Sequence, residues 1–119
     1  DTNAIIYYLK DDSAAVPILS DVLGGVLPVY ISTITEVELF GFPSLTVEES
    51  DRIESVLKTI AVLPLDSRIA RTAGAIRRTY GLKIPDCIIA ATALFTGTTL
   101  LTRNVRDFKG VPGLLLLKI

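Results

Sequence analysis

Two spacings of apolar residues organise this chain. Leu27 to Ser32, Ala61 to Leu65, Thr98 to Thr102 and Leu114 to Lys118 are short runs with little polar interruption. Such runs read as strands buried on both faces. Between them apolar residues recur at helical intervals, as in Ile53, Val56, Leu57 and Ile60, or Ile69, Ala73 and Ile76. Helix signals frame these stripes. Thr2 or Asn3 can cap a first helix through about Lys10, and Ser13 opens a second that runs to Gly24-Gly25 with Pro17 in its first turn. Thr33 or Thr35 starts a third that ends near Gly41-Phe42-Pro43, and Thr46 with Glu49 has the spacing of a capping box. Asp66 or Ser67 caps the next helix, which Gly81 ends. Ile84-Pro85-Asp86 introduces a largely apolar helix to about Phe95, closed by Gly97. Strands alternating with helices predict a three-layer α/β/α domain with a central parallel sheet.

The composition narrows this further. At 119 residues, half of them hydrophobic and 21% charged, the chain suits one globular domain over residues 1–119. No apolar run approaches the length of a membrane span, and no signal-peptide pattern is visible. Cys87 is the only cysteine, which excludes an intrachain disulfide framework and points to a reducing cytoplasm. The chain contains no Met, so a short N-terminal strand is expected to precede Asp1. Charge is polarised: residues 1–65 carry ten acids against three bases, and residues 66–119 carry three acids against nine bases. A basic half suits a polyanion, and equally a contact between unlike faces of two subunits.

Asp1, Glu38, Asp86 and Asp107 each sit in an apolar or turn-forming stretch: DTNAIIYYL, ISTITEVELFG, IPDCIIAATAL and LLTRNVRDF. A carboxylate among apolar residues is costly to bury unless its charge is compensated. Asp1 and Asp86 could each cap a helix, and Asp107 could be a loop residue paired with Arg103 or Arg106. Glu36 and Glu38 lie about 200° apart around a helix, so only one of them can face the protein. Taken together, the four acids suggest a shared cation. With no His, the available ligands are hard oxygens, which favour Mg²⁺ or Mn²⁺ over zinc or copper. In a parallel α/β sheet the ligand site lies beyond the carboxyl ends of the strands, and Asp1, Asp86 and Asp107 fall at junctions there.

These stretches resemble the four motifs of the PIN-domain family, and within it the VapC-type toxins of toxin–antitoxin pairs. DTNAIIYYL looks like the opening motif. In ISTITEVELFG the six-residue step from Ser32 to Glu38 is similar to the second, so Glu38 rather than Glu36 inherits the acidic role. IPDCIIAATAL and LLTRNVRDFKGVPGL are similar to the third and fourth. The chain departs from the family at Asn104, where many members carry Asp. Either Asp107 takes over as fourth acid, or Asn104 supplies a neutral oxygen or a water contact.

The resemblance implies a Mg²⁺- or Mn²⁺-dependent endoribonuclease of the cytoplasm, with Asp1, Glu38, Asp86 and Asp107 as its acids. Asp1 and Asp86 would contact metal directly, and Glu38 directly or through water. Thr2, Asn3, Ser32 and Thr102 would hold the acids in place. Arg68, Arg71, Arg77, Arg78, Lys83 and Arg103 would contact RNA. A homodimer and a cognate antitoxin are implied as partners, with part of the Tyr7, Tyr8, Leu39, Phe40 and Phe42 set at an interface; the plainer reading of that set is core. A housekeeping RNA-processing nuclease and a non-catalytic binding module on the same fold are the competing readings. A receiver-type signalling domain is disfavoured, because Asp11-Asp12 follow the first helix instead of ending a strand.

Overall fold

The computed structural model describes all 119 residues. In chain order the elements are α1 (Thr2–Leu9), α2 (Ala15–Leu23), β1 (Tyr30–Ser32), α3 (Thr33–Phe40), α4 (Val47–Leu57), β2 (Ala61–Leu63), α5 (Ser67–Tyr80), α6 (Ile84–Thr96), β3 (Leu100–Thr102), α7 (Val105–Phe108) and β4 (Leu116–Lys118).

Local chemistry explains most of the boundaries. Thr46 and Glu49 form the full capping box of α4, and Asp66 caps α5 by accepting from the Ile69 N–H. Both α5 and α6 stop at glycines in the left-handed region, Gly81 at φ 69° and Gly97 at φ 65°. Of the candidate caps for α1, Asp1 is the one that caps it, ahead of Thr2 and Asn3. Ser32 likewise caps α3, where Thr33 or Thr35 was expected. Asp107, which as a single residue could have been in a loop, lies in the one helical turn of α7.

All strand pairing is parallel, β1 with β2 and β3 with β4. Over residues 1–119 the central layer consists of these two parallel pairs, which are not hydrogen-bonded to each other. A cleft of about 1050 Å³ is lined by Ile31 of β1, Leu100 and Leu101 of β3, Leu117 of β4, and Ala4 and Ile5 of α1. Each strand is also shorter than its apolar run. Leu27 is exposed and Pro28 has no N–H to donate, so β1 begins only at Tyr30.

The largest core joins α5, α6, β3 and α7 through Ile69, Ala73, Ile76, Ile88, Leu100 and Phe108. A second gathers Ile5, Ile31, Leu39, Ile53 and Ile60. Helix α6 is buried continuously from Cys87 to Ala93, so its first turn is rigidly placed and carries Asp86 with it. Of the large side chains in the first third, Leu39 is core, Tyr7, Tyr8 and Phe40 are half-buried, and Phe42 is exposed. No helix is long and apolar enough to cross a membrane.

Candidate active site

Asp1 does two jobs. Its Oδ1 accepts from the Ala4 N–H at 2.8 Å, the ordinary work of a helix cap. Its Oδ2 accepts from the Thr102 hydroxyl at 2.7 Å, across 101 positions of sequence. The direction of that second bond is fixed, because Thr102 Oγ1 also accepts from the Asn104 N–H at 3.0 Å and its one proton is left for Asp1. Thr102 is fully buried, which makes this link between α1 and the end of β3 well defined.

Glu38, on α3, is held by Thr2, whose hydroxyl donates to Oε1 at 2.6 Å. The hydroxyls of Thr2 and Thr35 are 3.0 Å apart. Thr2 has one proton and the charged acceptor takes it, so Thr35 donates between the two hydroxyls. Both threonines are buried. Thr35 was not foreseen from the sequence; its place one turn before Glu38 on the same helix was the available signal.

Asp86 lies in the first turn of α6 but caps nothing, since that helix start has no side-chain cap. Its carboxyl is half-buried and raised above the usual carboxylate range, first by desolvation, then by the charges of Glu38 and Asp107; Lys83 pulls the other way. Glu38 and Asp107 therefore face Asp86. Asp1 adjoins the same region, because its neighbour Thr2 bonds to Glu38 and its own Oδ2 is tied to Thr102. Glu36 is not among the charges acting on Asp86.

Asp107 and Asn104 are partners. Asn104 Nδ2 donates to Asp107 Oδ2 at 2.6 Å, on the exposed rim of the site. Two expected helpers stand elsewhere. Asn3 is exposed and bonded to none of the acids, and Ser32 spends its oxygen on the Ile34 N–H at the start of α3.

The donor set fits a hard divalent cation in its chemistry. The acids offer only oxygen, and no hydrogen bond occupies Asp86. Three carboxylates that push on one another are the arrangement a dication relieves. Their side chains are not drawn to ligating distance, for no three acids converge tightly enough to hold one ion as they stand.

The expected RNA contacts divide into two groups. Arg71, Arg78 and Lys83 are exposed and make no ion pair. The others have partners: Arg68 with Asp66 and the Phe95 ring, Arg77 with the Leu82 carbonyl, and Arg103 with Asp12. The Arg103 hydrogen bonds, then the Ala15 N–H, hold Asp12 down at about 2. A depressed carboxylate stabilises the fold above its ordinary value of 3.8, and that contribution disappears as pH falls toward 2. Urea midpoints between about pH 5 and pH 2 should therefore fall less steeply for Asp12→Asn than for the wild type. Parallel curves would refute the assignment.

The chain is similar to known proteins over nearly its whole length. Residues 1–114 match the PIN domain family. The ribonuclease VapC19 of Mycobacterium tuberculosis is 28% identical over 119 residues, covering 96% of this chain and 94% of that protein. A chain of a toxin–antitoxin complex from Klebsiella pneumoniae is 32% identical with a TM-score of 0.79, covering all of this chain and 97% of the other. A chain of VapBC-1 from nontypeable Haemophilus influenzae is 29% identical with a TM-score of 0.80, covering 99% and 94%. With four acids from four elements on a parallel α/β frame, and a family match over nearly the whole length, the chain belongs to the PIN domain family.

Proposed function

We propose that this chain is a divalent-cation-dependent endoribonuclease, acting as one domain and as the toxin of a toxin–antitoxin pair. One observation carries the reading: Asp86 is half-buried, bound to no protein donor, and pressed by Glu38 and Asp107. A helix cap or structural ion pair would have given it a partner. The likeness to a ribonuclease and to toxin–antitoxin complexes supports the choice of RNA as substrate and of an antitoxin as partner.

Asp86, Glu38 and Asp1 are the residues that would hold Mg²⁺ or Mn²⁺, with Asp107 at the open side. When bound, such an ion supplies Lewis acidity toward a phosphate oxygen and toward water. The protein does the rest. Thr2 keeps Glu38 turned toward the site through Oε1, leaving Oε2 unengaged. Thr102 keeps Asp1 in place while Asp1 caps α1. Asn104 orients Asp107, whose free oxygen can accept a proton from water at the rim. Arg71, Arg78 and Lys83 supply positive charge for the phosphate chain, and Lys83 lies nearest Asp86 in sequence. A reducing cytoplasm suits the single buried thiol, Cys87.

The test is cleavage of structured RNAs with Mg²⁺ or Mn²⁺ and an EDTA control, comparing wild type with Glu38→Gln. Glu38→Gln keeps the shape but removes the charge, and should slow cleavage by about 10- to 100-fold, with a higher cation concentration needed for half-maximal rate. Wild-type cleavage that persists in EDTA would overturn cation dependence. RNA binding with no cleavage under any cation would favour a non-catalytic binding module.

A further inference from the structure

Arg103 carries a positive charge next to the site, and basic residues there are natural phosphate contacts. Its geometry points elsewhere. Arg103 Nη2 donates to Asp12 Oδ1 at 2.8 Å and Nη1 to Oδ2 at 3.2 Å, a two-point fork across 91 positions of sequence. Its guanidinium lies 3.9 Å above the centre of the Tyr7 ring. Asp12 is itself immobilised, because Oδ1 accepts from the Ala14 and Ala15 N–H groups, each at 3.0 Å, at the start of α2. A phosphate would have to share a guanidinium already engaged by a fork and a stacked ring.

The residues on either side of Arg103 explain what the clamp does. Thr102 is tied to Asp1, at the N-terminus of α1. Tyr7 and Asp12 lie in the last turn of α1 and just beyond it. The stretch 102–103 is thus stapled to both ends of α1. The next residue, Asn104, donates its backbone N–H to Thr102 and its side-chain amide to Asp107.

We propose that Arg103 is a positioning residue, whose clamp on Asp12 and Tyr7 fixes the loop that presents Asn104 and Asp107 to the acidic site. The role in cleavage rests on the nuclease reading; the clamp itself rests on geometry alone. Arg103→Lys separates a clamp from a phosphate contact. A lysine still offers a point charge to phosphate but cannot make the fork or stack its plane on Tyr7.

Two readouts test the proposal. In amide hydrogen exchange, Asn104 should exchange about tenfold faster in Arg103→Lys and in Asp12→Asn, and the double variant should be no worse than either single. In RNA cleavage the same variants should lose roughly tenfold in kcat with KM little changed. RNA affinity measured in EDTA should keep its wild-type salt slope, whereas loss of a phosphate contact lowers that slope by about one. Unchanged exchange at Asn104 overturns the proposal whether or not the protein cleaves RNA. A raised KM and reduced salt slope in an Arg103→Met variant, with Arg103→Lys like wild type, also overturns it in favour of a phosphate contact. If exchange accelerates as expected but the wild type cleaves no RNA, the clamp stands and the nuclease reading falls.

Discussion

Asp86→Asn is expected to do two opposite things at once: reduce RNA cleavage by on the order of 10² to 10³-fold and raise the melting temperature of the cation-free protein. The first follows from removing a charged ligand where several kcal/mol of transition-state stabilisation would originate. The second follows from linkage. The Asp86 carboxyl is raised above its ordinary value of 3.8, chiefly by desolvation and next by Glu38 and Asp107. Its ionised form is therefore less favourable in the folded state than in the unfolded chain. The resulting cost is absent below the ordinary value, grows as pH rises through the window up to the raised value, and is fully present above it. In EDTA at neutral pH, Asn removes that cost and should stabilise. With Mg²⁺ or Mn²⁺ added the order should reverse, since a bound cation stabilises the wild type by mass action and has less to hold in the variant.

Thermal melts with and without the cation separate this from a simple packing defect. A variant that merely disturbs the first turn of α6 would melt lower under both conditions. A variant that melts higher in EDTA yet cleaves at the wild-type rate would remove Asp86 from the site while leaving its burial intact. Only the paired result supports a carboxylate kept in an uncomfortable place for its function, where stability is given up locally.

The features legible in the sequence are those decided within a few residues. The capping box of Thr46 and Glu49, the Asp66 cap and the stops at Gly81 and Gly97 need no tertiary information. The strand positions were legible for the same reason, as short apolar runs between turns, and so was the alternation of helix and strand. Their lengths were not, because a strand ends where its neighbour's hydrogen-bonding groups end. The site shows the same division. Acids in apolar or turn-forming stretches singled out Asp1, Glu38, Asp86 and Asp107, the last contested by Asn104, and the fold brings Glu38 and Asp107 to bear on Asp86. The sequence did not reveal that Asn104 and Asp107 bond to each other, although three residues on one helical turn permit it. Nor could it show that Arg103 is engaged by Asp12, a pairing set by where α1 ends relative to β3. Asn3 illustrates the converse. It sits beside Asp1 and Thr2 in the motif, yet the turn of α1 sends it to solvent.

Phe108→Ala should cost about 3–5 kcal/mol of folding stability, the range for truncating a fully enclosed aromatic ring. Phe108 is 1% exposed and lies in the core shared with α5, α6 and β3. A domain of this size has only about 5–15 kcal/mol in total, so the variant should populate unfolded chain under mild denaturant. The position also bears on function, because Phe108 directly follows Asp107 and anchors α7, a helix of four residues with no side-chain cap of its own. Such a helix lacks the length to persist alone, so its place depends on this ring. Phe108→Leu gives the control: it keeps an apolar group in the cavity, and should cost less while retaining more cleavage at low temperature, where both variants are folded. Urea midpoints for the pair read the packing, and cleavage at equal folded fraction reads the placement of Asp107. If Phe108→Ala lost less than about 1.5 kcal/mol, the ring would be contributing no more than a tolerated core swap. The anchoring of α7 would then have to come from Val111 and the backbone bond between Val111 and Phe108.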